Sequence, residues 1–192
     1  MFFLQRWLSD VKDIQWCTRC NLHENRTQVI VGEGSMDANV LFVGECPGPD
    51  EDKAGRPFIG KAGKLLRRAI KNLGIDPQQT YITNIVKCFP FHSLNPKPEN
   101  VEACSPWLQE QINTIGPKVI VGLGKFSSSY LLQIPFKDLR ITKVSGRVVL
   151  RMISPNIRQL VLPVVHPSYV LRGGMSEANF LAHLSPMLQF HG

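Results

Sequence analysis

Val40-Leu41-Phe42-Val43-Gly44-Glu45-Cys46-Pro47-Gly48 reads as a short apolar strand that runs directly into a turn rich in glycine and proline. Four apolar residues without alternation fit a strand covered on both faces, as in a parallel sheet. Downstream, Leu65, Leu66, Ala69, Ile70 and Leu73 recur at helical spacing, Lys64, Arg67, Arg68 and Lys71 lie largely off that face, and Gly74 supplies a stop. Further strand-like runs follow at Tyr81 to Val86, Val119 to Val121 and Leu160 to Val165. Helices are expected after Pro98, from near Lys125, and from Ser176, an N-cap with Asn179 rather than Glu three residues on. The stretch from Ile141 to Leu160, around Gly146 and Pro155, fits either a hairpin or a loop. The expected fold is α/β: a single domain over residues 1–192, a three-layer αβα sandwich around a short, mostly parallel four-stranded sheet.

In open sheets of this kind ligands bind beyond the carboxyl ends of the strands. Function is therefore sought in Gly44 to Gly60, Asn84 to Asn95 and His166 to Gly174. The net charge of +7 implies an acidic partner: nucleic acid first, then an anionic membrane or an acidic protein. Met1 to Leu8 is apolar only in short pieces and meets Asp10, Lys12 and Asp13 at once, unlike a signal peptide or a membrane span. This points to the cytoplasm. In a reducing compartment five cysteines, an odd number, favour metal binding or chemistry over a disulfide framework.

Cys17-Thr18-Arg19-Cys20 has the C-x2-C spacing that lets two thiolates grip one metal from a tight turn. Cys88 and Cys104, 16 positions apart, enclose a proline-rich loop and form a second pair. Four thiolates suit either zinc or an iron–sulfur cluster, and spacing does not decide between them. In the turn after the first strand, Gly44 and Gly48 permit close approach of a ligand, and backbone N–H groups there can bind an anion or a base edge. The acids Asp50, Glu51 and Asp52 behind it read more simply as solvated. Phe58, held between glycines and a proline in Gly55-Arg56-Pro57-Phe58-Ile59-Gly60, is placed either to stack on a base or to plug the core. Asn84 carries the donor and acceptor that match a pyrimidine edge. His166 can donate to an oxygen gaining charge, and Leu171 and Arg172 have the chemistry of a wedge and a phosphate or base contact.

Taken together, C-x2-C, Gly44-Glu45-Cys46-Pro47-Gly48, GRPFIG, TNIVKC, the distant Cys104 and HPSYVLR resemble the family 4 uracil-DNA glycosylases from Cys17 to about Arg172. The resemblance implies an αβα fold, a [4Fe-4S] cluster on Cys17, Cys20, Cys88 and Cys104, and removal of uracil from single- and double-stranded DNA. It further implies that Phe58 stacks on the flipped uracil, Asn84 bonds its Watson–Crick edge and His166 stabilises the departing base. Gly44, Glu45 and Gly48 would shape the pocket and the water site. Ser168 would join the substrate contacts, and Leu171-Arg172 would fill or prop the vacated duplex.

Two departures from the family pattern stand out. Many members have a small residue where this chain has Cys46, and related family 1 enzymes hold a water-assisting aspartate there. A thiol is a poor base for water, so the role falls to Glu45 or Glu51, with Glu51 slightly favoured. Phe89 replaces a basic residue expected after the third cluster cysteine, and His92 and Ser93 make its loop atypical. Besides the glycosylase, expected to act as a monomer with no membrane contact and with a replication or repair protein as a further partner, two other readings fit the residues. One is a catalytically silent DNA-binding polymerase accessory, the other a zinc-stabilised nucleotide-binding module.

Overall fold

The computed structural model describes residues 13–93, 95–154 and 157–190. The Met1 to Leu8 segment and Pro155 lie outside the described residues. The sheet has six strands in the order β1-β3-β2-β4-β6-β5. These are β1 (Glu33–Gly34), β2 (Val40–Gly44), β3 (Thr80–Asn84), β4 (Val119–Leu123), β5 (Val149–Ser154) and β6 (Ile157–Val164). The four central strands, β3, β2, β4 and β6, are mutually parallel and are the four apolar runs of the sequence.

The expected four-stranded sheet is thus extended by an antiparallel strand on each edge. The reason for the shortfall is physical. β1 is only Glu33 and Gly34, which carry no strand signature, and β5 is a half-solvated edge whose Leu150 and Met152 are exposed. The segment read as hairpin or loop contains a short helix followed by the β5–β6 hairpin.

Alternate strand residues feed two cores. Val40, Phe42, Val121, Leu123, Leu162 and Val164 pack with Leu65, Leu66 and Ile70 of α2 (Lys61–Asn72) and with Phe180 and Leu184 of α7 (Glu177–Leu184). Leu41, Val43, Ile120 and Val161 pack on the other face with Leu108 and Ile112 of α3 (Pro98–Ile115) and Leu131 and Leu132 of α4 (Lys125–Leu132). Helices on both faces make the three layers. Ser176 caps α7 as expected, its Oγ accepting the Asn179 N–H at 3.2 Å. Pro106 within α3 cannot donate to the Glu102 carbonyl, and the Ser105 hydroxyl donates to it instead at 3.2 Å. Three further helices are α1 (Pro49–Ala54), α5 (Ile141–Val144) and α6 (Pro167–Leu171).

Candidate active site

A cavity of about 820 Å³ opens beyond the carboxyl ends of β2, β3, β4 and β6. Parallel pairing puts Gly44 level with Asn84, so the two segments enter the cavity side by side. Asn84 is 2% exposed, and its Oδ1 is a buried acceptor without a hydrogen-bond partner. Leaving such a group unpaired costs about 1–3 kcal/mol, so the position favours a ligand that brings a donor. Gly44 makes the approach possible. A Cβ there would stand 2.3 Å from Asn84 Oδ1 and 2.6 Å from Phe58 Cζ, so any side chain would invade the space that both residues face.

Phe58 serves core and cavity together: it is 7% exposed, belongs to the core and also lines the cavity. Its φ of 53° lies in the left-handed region, which a bulky residue enters only when its surroundings impose it. Arg67 clamps the loop by donating to the Phe58 and Pro57 carbonyls at 3.1 and 2.9 Å. Gly63 leaves room for the Phe58 carbonyl, which a Cβ would meet at 1.9 Å.

Of the three acids behind the first turn, Asp50 is exposed as expected, whereas Glu51 and Asp52 are anchors rather than solvated charges. Asp52 is 5% exposed and accepts the Thr27 N–H on both oxygens. Glu51 accepts the N–H groups of Gly48, Ile59 and Gly60 at 3.1, 3.1 and 3.0 Å, which fixes the turn to the Phe58 loop.

His166 caps α6, and its Nδ1 accepts the Ser168 N–H at 3.2 Å while Ser168 Oγ lies at 2.8 Å. A backbone N–H can only donate, so Nδ1 carries no proton and the neutral ring holds its proton on Nε2, the nitrogen left for the cavity. Burial, assisted by the positive charge of Arg172, pushes its pKa down to about 4 against the opposing pull of Glu51. Arg172 donates to Ser168 Oγ at 3.1 Å. Gly124 passes so close that a Cβ would lie 3.0 Å from His166 Cβ.

Glu45 lines the same cavity, and burial alone raises its carboxyl to about pKa 7. Cys46 is adjacent, and burial with the charges of Glu45 and Glu51 holds its thiol protonated. Gly48, Glu51, Ser168 and Arg172 line the cavity too, whereas Leu171 projects beside it, 49% exposed. Gly124, Lys125 and Phe126 of the loop after β4, which lies outside the three segments that the sequence marks, join the lining, as does Phe136. The rule that ligands gather beyond every parallel strand was the signal that could have found them.

The other four cysteines gather behind this site. Cys88 and Cys104 are buried and Cys17 and Cys20 half-buried; Cys88 lies within electrostatic reach of Cys104 and Cys20, and Cys104 within reach of Cys20 and Cys17. Arg26 donates to Cys88 Sγ at 3.4 Å and the Lys87 N–H to Cys104 Sγ at 3.3 Å. Among the described residues no three His, Cys, Asp or Glu side chains converge as ligands to one ion. Lys87, 1% exposed, donates to the Asn84 carbonyl at 2.6 Å, to Thr83 Oγ1 at 2.7 Å and to Gln111 Oε1. One buried ammonium therefore links the cysteine segment to the strand end that carries Asn84.

A family profile described as the Uracil DNA glycosylase superfamily matches residues 31–189, which span the whole sheet and every cavity segment. This chain belongs to the uracil DNA glycosylase superfamily. It is 44% identical over 164 residues to the type-4 uracil-DNA glycosylase of Thermotoga maritima, covering 85% of this chain and 82% of that one. It is likewise 44% identical over 158 residues to the type-4 uracil-DNA glycosylase of Sulfurisphaera tokodaii, covering 81% and 71%. A more distant likeness, 30% over 165 residues, is to a DNA polymerase of Bacillus phage SP01, covering 85% of this chain and 17% of that one. Among the described residues no helix is long and apolar enough to cross a membrane.

Proposed function

We propose that this chain captures an extrahelical uracil from DNA and hydrolyses its N-glycosidic bond, leaving an abasic site. The observation that carries this reading is the orphaned Asn84 Oδ1, buried in a cavity walled by Phe58 and His166. With the amide as placed, Oδ1 accepts from uracil N3–H and Nδ2 donates to O4. Cytosine has an acceptor at N3 and a donor at C4, so it meets this amide with like groups opposed. Phe58 offers an aromatic surface to the base, and the clamps from Arg67 and Glu51 keep it there. The base must leave the stack for its glycosidic carbon to be reached.

As the C1′–N1 bond breaks, its electron pair moves onto the uracil ring, and the neutral His166 donates Nε2–H to the oxygen that gains charge. Water adds its oxygen to C1′ and gives up a proton to Glu45. Glu45 suits this role because it lines the cavity with a carboxyl raised to about pKa 7, close to the working pH of a base, whereas Glu51 spends its carboxylate on three backbone N–H groups that fix the loops. Gly44 and Gly48 keep the pocket open, and Ser168 and Arg172 hold His166 and face the DNA backbone.

Four thiols from two segments, with N–H donors on Cys88 and Cys104, are the donor set of a [4Fe-4S] cluster on Cys17, Cys20, Cys88 and Cys104. Thiolates of such a cluster sit on separate irons and need not converge on one point as ligands to a single ion do. Held by these four residues, the group would supply a cross-link between the segments that carry them. Cys46 stands apart beside Glu45. Iron analysis of anaerobically purified protein should find about four irons per chain, lost in Cys88→Ala and kept in Cys46→Ala. Zinc in place of iron, or iron loss in Cys46→Ala, overturns this assignment.

The whole chain would form one domain and act as a monomer in the reducing cytoplasm, on single- or double-stranded DNA, with a replication or repair protein as a further partner. The decisive test of the activity is release of free uracil from a uracil-containing oligonucleotide, with strand breakage only after alkali. Tight binding of that oligonucleotide without uracil release would leave a silent DNA-binding relative instead.

A further inference from the structure

Two exposed aromatic clusters line the cavity, and the chemistry above uses neither. After β3, Phe91 is 61% exposed, edge-on to Phe89 at 6.1 Å and to His92 at 5.3 Å between ring centroids. After β4, Phe136 is 46% exposed, with Lys125 Nζ 4.2 Å from its ring centroid and Phe126 packed against it at 4.7 Å. All six residues line the cavity that holds Asn84 and His166. β3 and β4 flank β2 in the sheet, so the clusters arise on either side of the strand whose loop carries Glu45.

A large apolar ring left in water next to a binding cavity marks a surface meant to be covered. The occupant must offer flat π faces and negative charge, because Lys125 stands over the Phe136 ring, Arg172 lines the same cavity and the chain carries a net charge of +7. We propose that Phe91 and Phe136 are stacking platforms for the nucleobases adjoining the flipped uracil, and that the substrate they fit is single-stranded DNA. In a duplex the neighbouring bases are stacked on one another and closed to such rings. In a single strand each base has a free face, and an aromatic side chain takes it whatever the base. This rests on the reading that the cavity takes uracil in DNA, which it deepens with a strand preference.

The test compares Phe91→Ala, Phe136→Ala and Phe91→Trp in the full chain. Dissociation constants are measured on matched single-stranded and duplex oligonucleotides bearing a non-cleavable 2′-fluoro uridine analogue. Each alanine variant should weaken single-strand binding roughly 5- to 100-fold, with duplex binding and the saturating single-turnover rate unchanged. Phe91→Trp should retain single-strand affinity, which a merely structural role for the ring would not require. Equal weakening on both substrates, weakening on the duplex alone, or no change on either overturns the proposal. Wild-type protein that releases no uracil sinks the functional reading. Uracil release together with indifferent Phe91 and Phe136 variants sinks this inference alone.

Discussion

His166→Ala should lower the single-turnover rate of uracil excision about 10²–10³-fold, roughly 2.7–4 kcal/mol of transition-state stabilisation. The magnitude follows from when the interaction matters. A neutral donor gains little from the carbonyl of intact uracil and much more from the same oxygen as it takes up the electron pair of the breaking bond. Affinity for uracil-containing DNA should therefore change little. Because the ring titrates near pH 4, it should act in its neutral form across the physiological range, with no inflection of its own above about pH 5. Single-turnover rates at saturating enzyme, taken beside a melting curve, decide the matter. An unchanged rate in a well-folded variant removes His166 from the chemistry, and a loss traced to unfolding makes it a structural cap of α6.

Glu45→Gln should cost about 10²–10⁴ in rate, the usual contribution of a positioned base. It should also change the shape of the pH profile. A carboxyl raised to about 7 is protonated, and useless as a base, below that pH. The kcat/KM of the wild-type chain should therefore climb as pH rises through about 7 and level off above it, since this parameter reports the free enzyme. The climb should vanish in Glu45→Gln, and Glu51→Gln should retain it while losing stability through its three backbone contacts. If Glu51→Gln abolishes the climb and Glu45→Gln retains it, the two roles are reversed.

The parallel core was legible in the sequence because strands buried on both faces are written as unbroken apolar runs, and a glycine or polar turn marks each exit. Edge strands carry no such mark: Glu33-Gly34 is strand only because β3 lies beside it. Within the site, Asn84, Phe58 and His166 were legible as residue types at strand ends, since their chemistry is local. Side-chain direction was not. Glu51 and Asp52 look like solvated acids until the backbone N–H groups that they hold are in place. Arg67 reads as part of a polar helix face, yet it reaches back to the Phe58 loop. Lys87 follows Val86 with no hint that its ammonium ends among Thr83, Asn84 and Gln111, since those partners come from a strand end and a distant helix.

The two outer strands of the sheet have a consequence for the chain in a crowded cell. A regular, apolar open edge is a template on which another polypeptide can add a strand, and such additions seed aggregates. Here one edge is two residues long and ends at Gly34, whose φ of +139° departs from ordinary extended backbone. The other exposes Leu150 and Met152, but the charged, exposed Arg151 stands between them, and the pairing of β5 slips register between Met152 and Ser154. A positive charge and an irregular ladder both disfavour an incoming strand, so the exposed apolar side chains on that edge are a poorer template for strand addition than a regular apolar ladder would be.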